Sequence, residues 1–126
     1  MSSPSATPNT YPHQNEPIWS RSEKAIARTV FDAALRRELQ EVMQKAKQLA
    51  NQIKEPADVW ELEHYLTERR RETNRKYDYR YSQLTHVFGR LLHEGRVSEE
   101  ELRGLREDKL KLIRSCAKFL AEDTAA

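Results

Sequence analysis

The sequence predicts an all-α fold: three helices, two of them very long, forming an intertwined homodimeric bundle with a smaller helical head region. Three observations predict it. Apolar residues recur at alternating spacings of four and three through the first half of the chain. A strongly polar stretch, residues 67–76 (TERRRETNRK), lies between two apolar-patterned segments with nothing between them to stop a helix. Two Ser-x-x-Glu capping boxes, Ser20/Glu23 and Ser98/Glu101, mark helix starts.

Residues 1–18 come first and are expected to form a disordered tail. Four of the five prolines fall here, among Ser, Thr and Asn. Such a segment has too little apolar surface to offset its ordering entropy. Residues 19–122 are then one helical, dimerising domain. Its first helix starts at the Ser20 box and runs to about Lys54, where Pro56 disfavours helical geometry at Glu55. Leu35, Leu39, Val42, Ala46 and Leu49 form a heptad seam, narrow at Ala46, suited to a second copy.

The second helix opens at Pro56, a residue suited to a first turn. It is expected to continue to Glu94, where Gly95 supplies a left-handed cap, a rod of about 55 Å at about 1.5 Å per residue. Val59, Trp60, Leu62, Tyr65 and Leu66 give it an apolar start. Tyr77, Tyr81, Leu84, Phe88 and Leu91 form a second seam, weakened locally by Gly89. The polar middle offers nothing to a core, and a helix polar all round bridges packed bodies or leans on side-chain pairs. The third helix starts at the Ser98 box and buries Leu102, Leu105, Leu112, Ile113, Cys116 and Leu120. Two long helices and a short one do not close a core in one subunit, so a symmetric dimer is expected.

Composition narrows the function. Of 126 residues, 33% are charged and 37% hydrophobic, so the core is thin or shared. A net charge of +2 is too balanced for a dedicated nucleic-acid binder. Cys116 stands alone, so no intrachain disulfide forms and a reducing compartment fits. No apolar run approaches the roughly 20 residues of a membrane span, and the first residues do not read as a signal peptide. A cytoplasmic protein is expected.

The densest basic run is Arg69, Arg70, Arg71, Arg75, Lys76 and Arg80, interleaved with Glu68, Glu72 and Asp78. It reads either as a self-paired solvated face or as a dock for an acidic protein surface. Arg70 is the strongest single candidate, because guanidinium grips carboxylate with two parallel bonds. Trp60 reads as an interface residue or as a partner anchor. Glu61 and His64 have the E-x-x-H spacing of di-metal bundles, but matching glutamates on other helices are missing, so no metal is expected. His86 beside Phe88 reads as head core or as a second, pH-sensitive docking point. Cys116 has no base to activate it, and no cofactor is expected.

The ordered set of these residues resembles the fluorescence recovery protein family of cyanobacteria and its bacterial relatives. The resemblance runs from Asp58-Val59-Trp60 through Leu66, Arg70, Lys76-Tyr77-Asp78, Arg80, Val87-Phe88, Leu91-Leu92, Glu94-Gly95 and Val97 to Asp108-Lys109. Trp19-Ser20, Phe31 and Arg37-Glu38-Leu39 add to it. It implies a non-enzymatic helical homodimer. In cyanobacteria such a dimer binds the light-activated orange carotenoid protein, speeds its return to the resting form and ends quenching of the phycobilisome. Trp60 and Arg70 match two of the family's important positions. His64 stands at a family aspartate, His86 at a phenylalanine and Leu112 at a lysine. These departures leave a second reading, a relative that binds a different protein, and a weaker third, a nucleic-acid-associated helical dimer. The candidate partner-contacting residues are Trp60, His64, Arg69, Arg70, His86, Phe88 and Lys109. The candidate dimer interface is Leu35, Leu39, Val42, Ala46, Leu49, Trp60 and Leu62.

Overall fold

The computed structural model describes residues 18–125, so the expected tail, residues 1–18, lies outside the described residues but for Ile18. Among the described residues the fold is all-α, with four helices rather than three: α1 (Arg21–Asn51), α2 (Pro56–Lys76), α3 (Leu84–His93) and α4 (Glu107–Ala125). No strand occurs among the described residues beyond one isolated bridge, Arg103 to Leu105.

The Ser20 box starts α1 as expected. Glu23 N–H donates to Ser20 Oγ at 3.2 Å and Ser20 N–H donates to Glu23 Oε1 at 2.9 Å. The helix stops at Asn51, three residues before Lys54. Asp58 then organises the turn into α2, its Oδ2 accepting from the Lys54 and Glu55 N–H groups at 2.9 and 3.1 Å.

The long second helix is corrected into two. Helical geometry ends at Tyr77 (φ −91°, ψ 74°) and resumes at Leu84. Tyr77, Tyr79 and Tyr81 stand two residues apart, a spacing that puts all three on one side of an extended chain but scatters them round a helix. All three pack along α1. Tyr77 meets Phe31 edge-on at 5.3 Å, Tyr79 meets Phe31 at 4.8 Å, and Tyr81 meets Trp19 at 5.9 Å. The aromatic contacts override the local helical preference.

The third predicted helix is corrected too. Ser98 and Glu101 do bond reciprocally, Glu101 N–H to Ser98 Oγ at 3.2 Å and Ser98 N–H to Glu101 Oε1 at 3.0 Å. They cap only a short turn. Gly104 takes φ +105°, left-handed backbone that breaks the helix, and a Cβ there would stand 2.6 Å from Ile26 Cδ1. Helix resumes at Glu107. Gly95, with φ +78°, follows α3 as expected.

Among the described residues, every buried hydrophobic lies before Leu35 or after Gln83: Trp19, Ala27, Val30, Phe31 and Ala34, then Leu84, Val87, Phe88, Leu91, Val97, Leu102, Leu105 and Ile113. These build a head from the first half of α1, the tyrosine segment, α3 and α4. Leu112, expected inside, is exposed, while Cys116 and Leu120 are half-buried. The second half of α1 and α2 form a stem beside that head.

Candidate functional site

The stem carries the face with the fewest internal partners. Leu35, Val42, Ala46, Leu49 and Leu62 are half-buried between its helices. Leu39 (43%), Met43 (52%), Val59 (42%), Trp60 (67%) and Leu66 (41%) are exposed. An apolar groove of about 640 Å³ runs along the stem, walled by Leu35, Leu39 and Val42 of α1 and by Leu66, Arg70 and Thr73 of α2. Of the residues expected to meet a second copy, Leu35, Leu39 and Val42 line this groove, whereas Ala46, Leu49, Trp60 and Leu62 do not.

The basic run divides. Arg69 is half-buried and bonds Glu38 Oε2 at 3.1 Å and Glu72 at 2.5 Å. Arg71 pairs with Glu68 at 3.0 Å, and Arg80 pairs with Asp78. Arg70 and Arg75 are exposed and have no ion pair among the described residues. Lys76 is buried, which corrects the expectation that residues 67–76 give nothing to an interior; Thr73 is buried as well.

Lys76 belongs to a cluster where stem meets head. Its Nζ lies 2.7 Å from Glu38 Oε1 and 2.8 Å from Glu94 Oε1. Tyr77 OH donates to Glu38 Oε1 at 2.8 Å, and Arg96 Nε reaches Glu38 at 3.3 Å and Glu94 at 2.9 Å. Arg96 also pairs with Glu41 of α1. Burial pushes the Glu38 carboxyl up, but the Lys76 and Tyr77 bonds outweigh it and hold it below the usual carboxylate range. Glu94 behaves alike: burial opposes, Lys76 and Arg96 prevail, and its pKa falls to about 2. Burial and the Glu38 contact push the Tyr77 phenol up.

A second charged node holds the head. Lys109 Nζ donates to the Ile18 carbonyl at 2.6 Å, pairs with Glu23 at 3.1 Å and lies 5.2 Å from the Trp19 ring centroid. Glu23 Oε2 accepts the Arg106 N–H at 2.8 Å. Burial raises the Glu23 pKa, yet the backbone donors of Ser20 and Arg106, with Lys109, bring it to about 2.

Two expected partner contacts are thereby corrected. Phe88 and Lys109 are fully buried, one in the apolar core and one in the Trp19 node, so neither presents a surface. Trp60, His64, Arg70 and His86 are exposed. Trp60, His64 and Arg70 share α2, whereas His86 is on α3 in the head. The buried Glu23, Glu38 and Lys76 were invisible to sequence patterning, because nothing local separates a buried charge from a solvated one. Glu61 and His64 are both exposed, and no group of three or more His, Cys, Asp or Glu side chains converges among the described residues. No helix among those residues is long and apolar enough to cross a membrane. Cys116 Sγ lies 3.7 Å from the His86 carbonyl, and burial pushes its thiol up, away from nucleophilic use.

Comparison with known proteins agrees with this architecture. The family described as photoprotection regulator fluorescence recovery protein matches residues 19–117. The curated fluorescence recovery protein of Synechocystis sp. is 38% identical over 104 residues, covering 82% of this chain and 95% of that one. The solved fluorescence recovery protein of Fremyella diplosiphon superposes with a TM-score of 0.76 at 39% identity, covering 80% of this chain and 99% of that one. The solved Synechocystis protein gives 0.76 at 38% identity with the same coverage. Matched along almost the whole of its folded part in sequence and in structure, the chain belongs to the fluorescence recovery protein family of photoprotection regulators.

Proposed function

We propose that this protein is a non-enzymatic regulator that acts as a homodimer by binding a protein partner, the orange carotenoid protein. It binds the active state more tightly than the resting surface allows, lowers the barrier to return and so ends phycobilisome quenching. A ligand shifts or speeds a conformational exchange only through differential affinity for the states involved. The observation that carries this reading, beside family membership, is the stem. The second half of α1 and α2 contain no buried hydrophobic residue, yet they expose an apolar groove and a tryptophan. A surface of that kind fits burial against a second copy, which covers the same patch on both subunits. Trp60, Arg69 and Arg70 on the rod, with His64 and His86, are the residues we assign to partner contact. Arg70 supplies a guanidinium without an ion pair among the described residues, suited to an acidic surface.

The test is to add the protein to photoactivated orange carotenoid protein and follow recovery of the orange spectrum. Faster recovery is expected, with loss of the effect in Arg70→Ala and weakening by salt, since exposed charges are screened within about 8 Å at physiological ionic strength. Unchanged recovery overturns the reading. A second reading is favoured by one observation: His64, His86 and Leu112, the positions that depart from the family pattern, are all exposed. The scaffold would then be retained while the surface is read by a different protein. Dimerisation together with no effect on the carotenoid protein would select it.

A further inference from the structure

The charged cluster at the inner end of the stem has thin apolar support, namely the edge-on contact of Tyr77 with Phe31 at 5.3 Å and the half-buried Leu35. Every buried hydrophobic residue belongs to the head, while the stem buries only Glu38, Thr73 and Lys76. The outer end of the stem is tied by the short turn at residues 52–55. At the inner end α2 stops at Lys76, and the chain stays non-helical until Leu84. The charged contacts hold α2 to α1 at that end together with Tyr77, whose ring meets Phe31 and whose hydroxyl reaches the Ala34 carbonyl at 3.2 Å.

Glu38 is the centre of it. Both carboxylate oxygens are used: Oε1 by Tyr77 at 2.8 Å and Lys76 at 2.7 Å, Oε2 by Arg69 at 3.1 Å and Lys76 at 2.8 Å. These donors come from α2 and the tyrosine segment, and Arg96 adds a tie from the loop after α3. Glu38, Glu41 and Glu94 balance Arg69, Lys76 and Arg96, so the cluster is neutral and its members satisfy one another. The neighbouring Thr73 hydroxyl is buried without a hydrogen-bond partner and adds no tie. We propose that this cluster is a latch: it pins the end of α2 against α1, and thereby shapes the groove that a second copy enters, with Glu38 as its positioning residue. Glu38 does not line that groove; Leu35, Leu39 and Val42 on its helix do. Replacing it acts on the groove through the placement of α2 and of Arg69, which bonds Glu38 and lines the groove. The latch itself stands on the subunit's own contacts, and its effect on assembly rests on the dimer reading above.

A buried charge left without its partner is strongly destabilising locally, whereas the rest of the fold keeps its own contacts. The test is amide hydrogen exchange and sedimentation on the full chain, comparing wild type, Glu38→Gln and Tyr77→Phe. In Glu38→Gln, exchange over residues 69–83 should speed at least about tenfold, with α3 and the start of α4 unchanged, and the dimer dissociation constant should rise about tenfold. Tyr77→Phe keeps the ring and removes the hydroxyl that bonds Glu38 and also reaches the Ala34 carbonyl, so it should move both readouts the same way by about two- to fivefold; it decides the matter should Glu38→Gln not fold. Unchanged exchange over 69–83 in the variants overturns the latch. Equal acceleration in head and stem also overturns it, since the cluster would then be a general stabiliser. A wild type that is monomeric at every concentration, yet shows the local acceleration, overturns the dimer reading and leaves the latch standing.

Discussion

Head and stem share one helix, α1, and solve opposite problems with it. Before Leu35, α1 buries Ala27, Val30, Phe31 and Ala34 in the head core, with Phe31 against Tyr77 and Tyr79. After Leu35 it buries only one residue, the charged Glu38. The head is a small hydrophobic core closed by aromatic contacts and by the Lys109 node. The stem is two helices with half-buried aliphatic residues, tied by a turn at one end and by charge at the other. The difference teaches that the packed core and the exposed apolar face are separated along the chain. The head closes a core of its own, and the stem leaves Leu39, Met43, Val59, Trp60 and Leu66 exposed.

The largest test of that contrast is a core truncation. Phe88→Ala should cost about 3–5 kcal/mol in urea unfolding, because a fully buried ring leaves a cavity that packed helices do not collapse. A loss below about 1 kcal/mol would mean that the head is not the stabilising unit.

Acid comes next. Glu23 in the head and Glu94 at the latch have pKa values depressed from 4.5 to about 2. Depressed carboxylates contribute stability that is whole above the unfolded value and lost as pH falls through the folded one. Helicity should therefore fade between pH 4.5 and about 2, with Glu23 alone contributing on the order of 3 kcal/mol. Glu23→Gln should flatten that acid limb in a circular-dichroism titration. An unaltered limb would place the acid sensitivity elsewhere.

A smaller effect is expected where α3 crosses α4. A Cβ on Gly89 would stand 2.5 Å from Cys116 Cβ, 2.7 Å from its Sγ and 3.0 Å from the Ile113 carbonyl. Gly89→Ala should cost about 1–3 kcal/mol by forcing the helices apart. Paired with Cys116→Ala, which removes the Sγ, part of the loss should return; no recovery would point to the Ile113 backbone as the obstacle.

The smallest change in subunit stability belongs to the stem. Leu39→Ala should shift the unfolding free energy of the isolated subunit by less than about 0.5 kcal/mol, since Leu39 is 43% exposed. The same variant should weaken the dimer in sedimentation. A large loss in the subunit with assembly intact would erase the distinction between the two regions.

The amino-acid sequence by itself determined whatever depends on neighbours within a turn or two. The Ser20/Glu23 box, the turn before Pro56, the left-handed Gly95 and the heptad seam of α1 all obey local rules. So does the polar character of α2, which leaves Arg70 and Arg75 exposed. The ordered residues also carried the family resemblance. Only the tertiary structure decided the rest. The second helix breaks at Tyr77 because three tyrosines at a spacing of two find Phe31 and Trp19, the latter 62 residues before Tyr81; that spacing was the legible sign, overridden by the helical pattern around it. Glu38 and Lys76 are buried because they meet across 38 residues, and Lys109 because Ile18 and Glu23 wait at the other end of the chain. A charge is buried or solvated according to the partner that the fold delivers to it, and that partner lies beyond the reach of any local pattern.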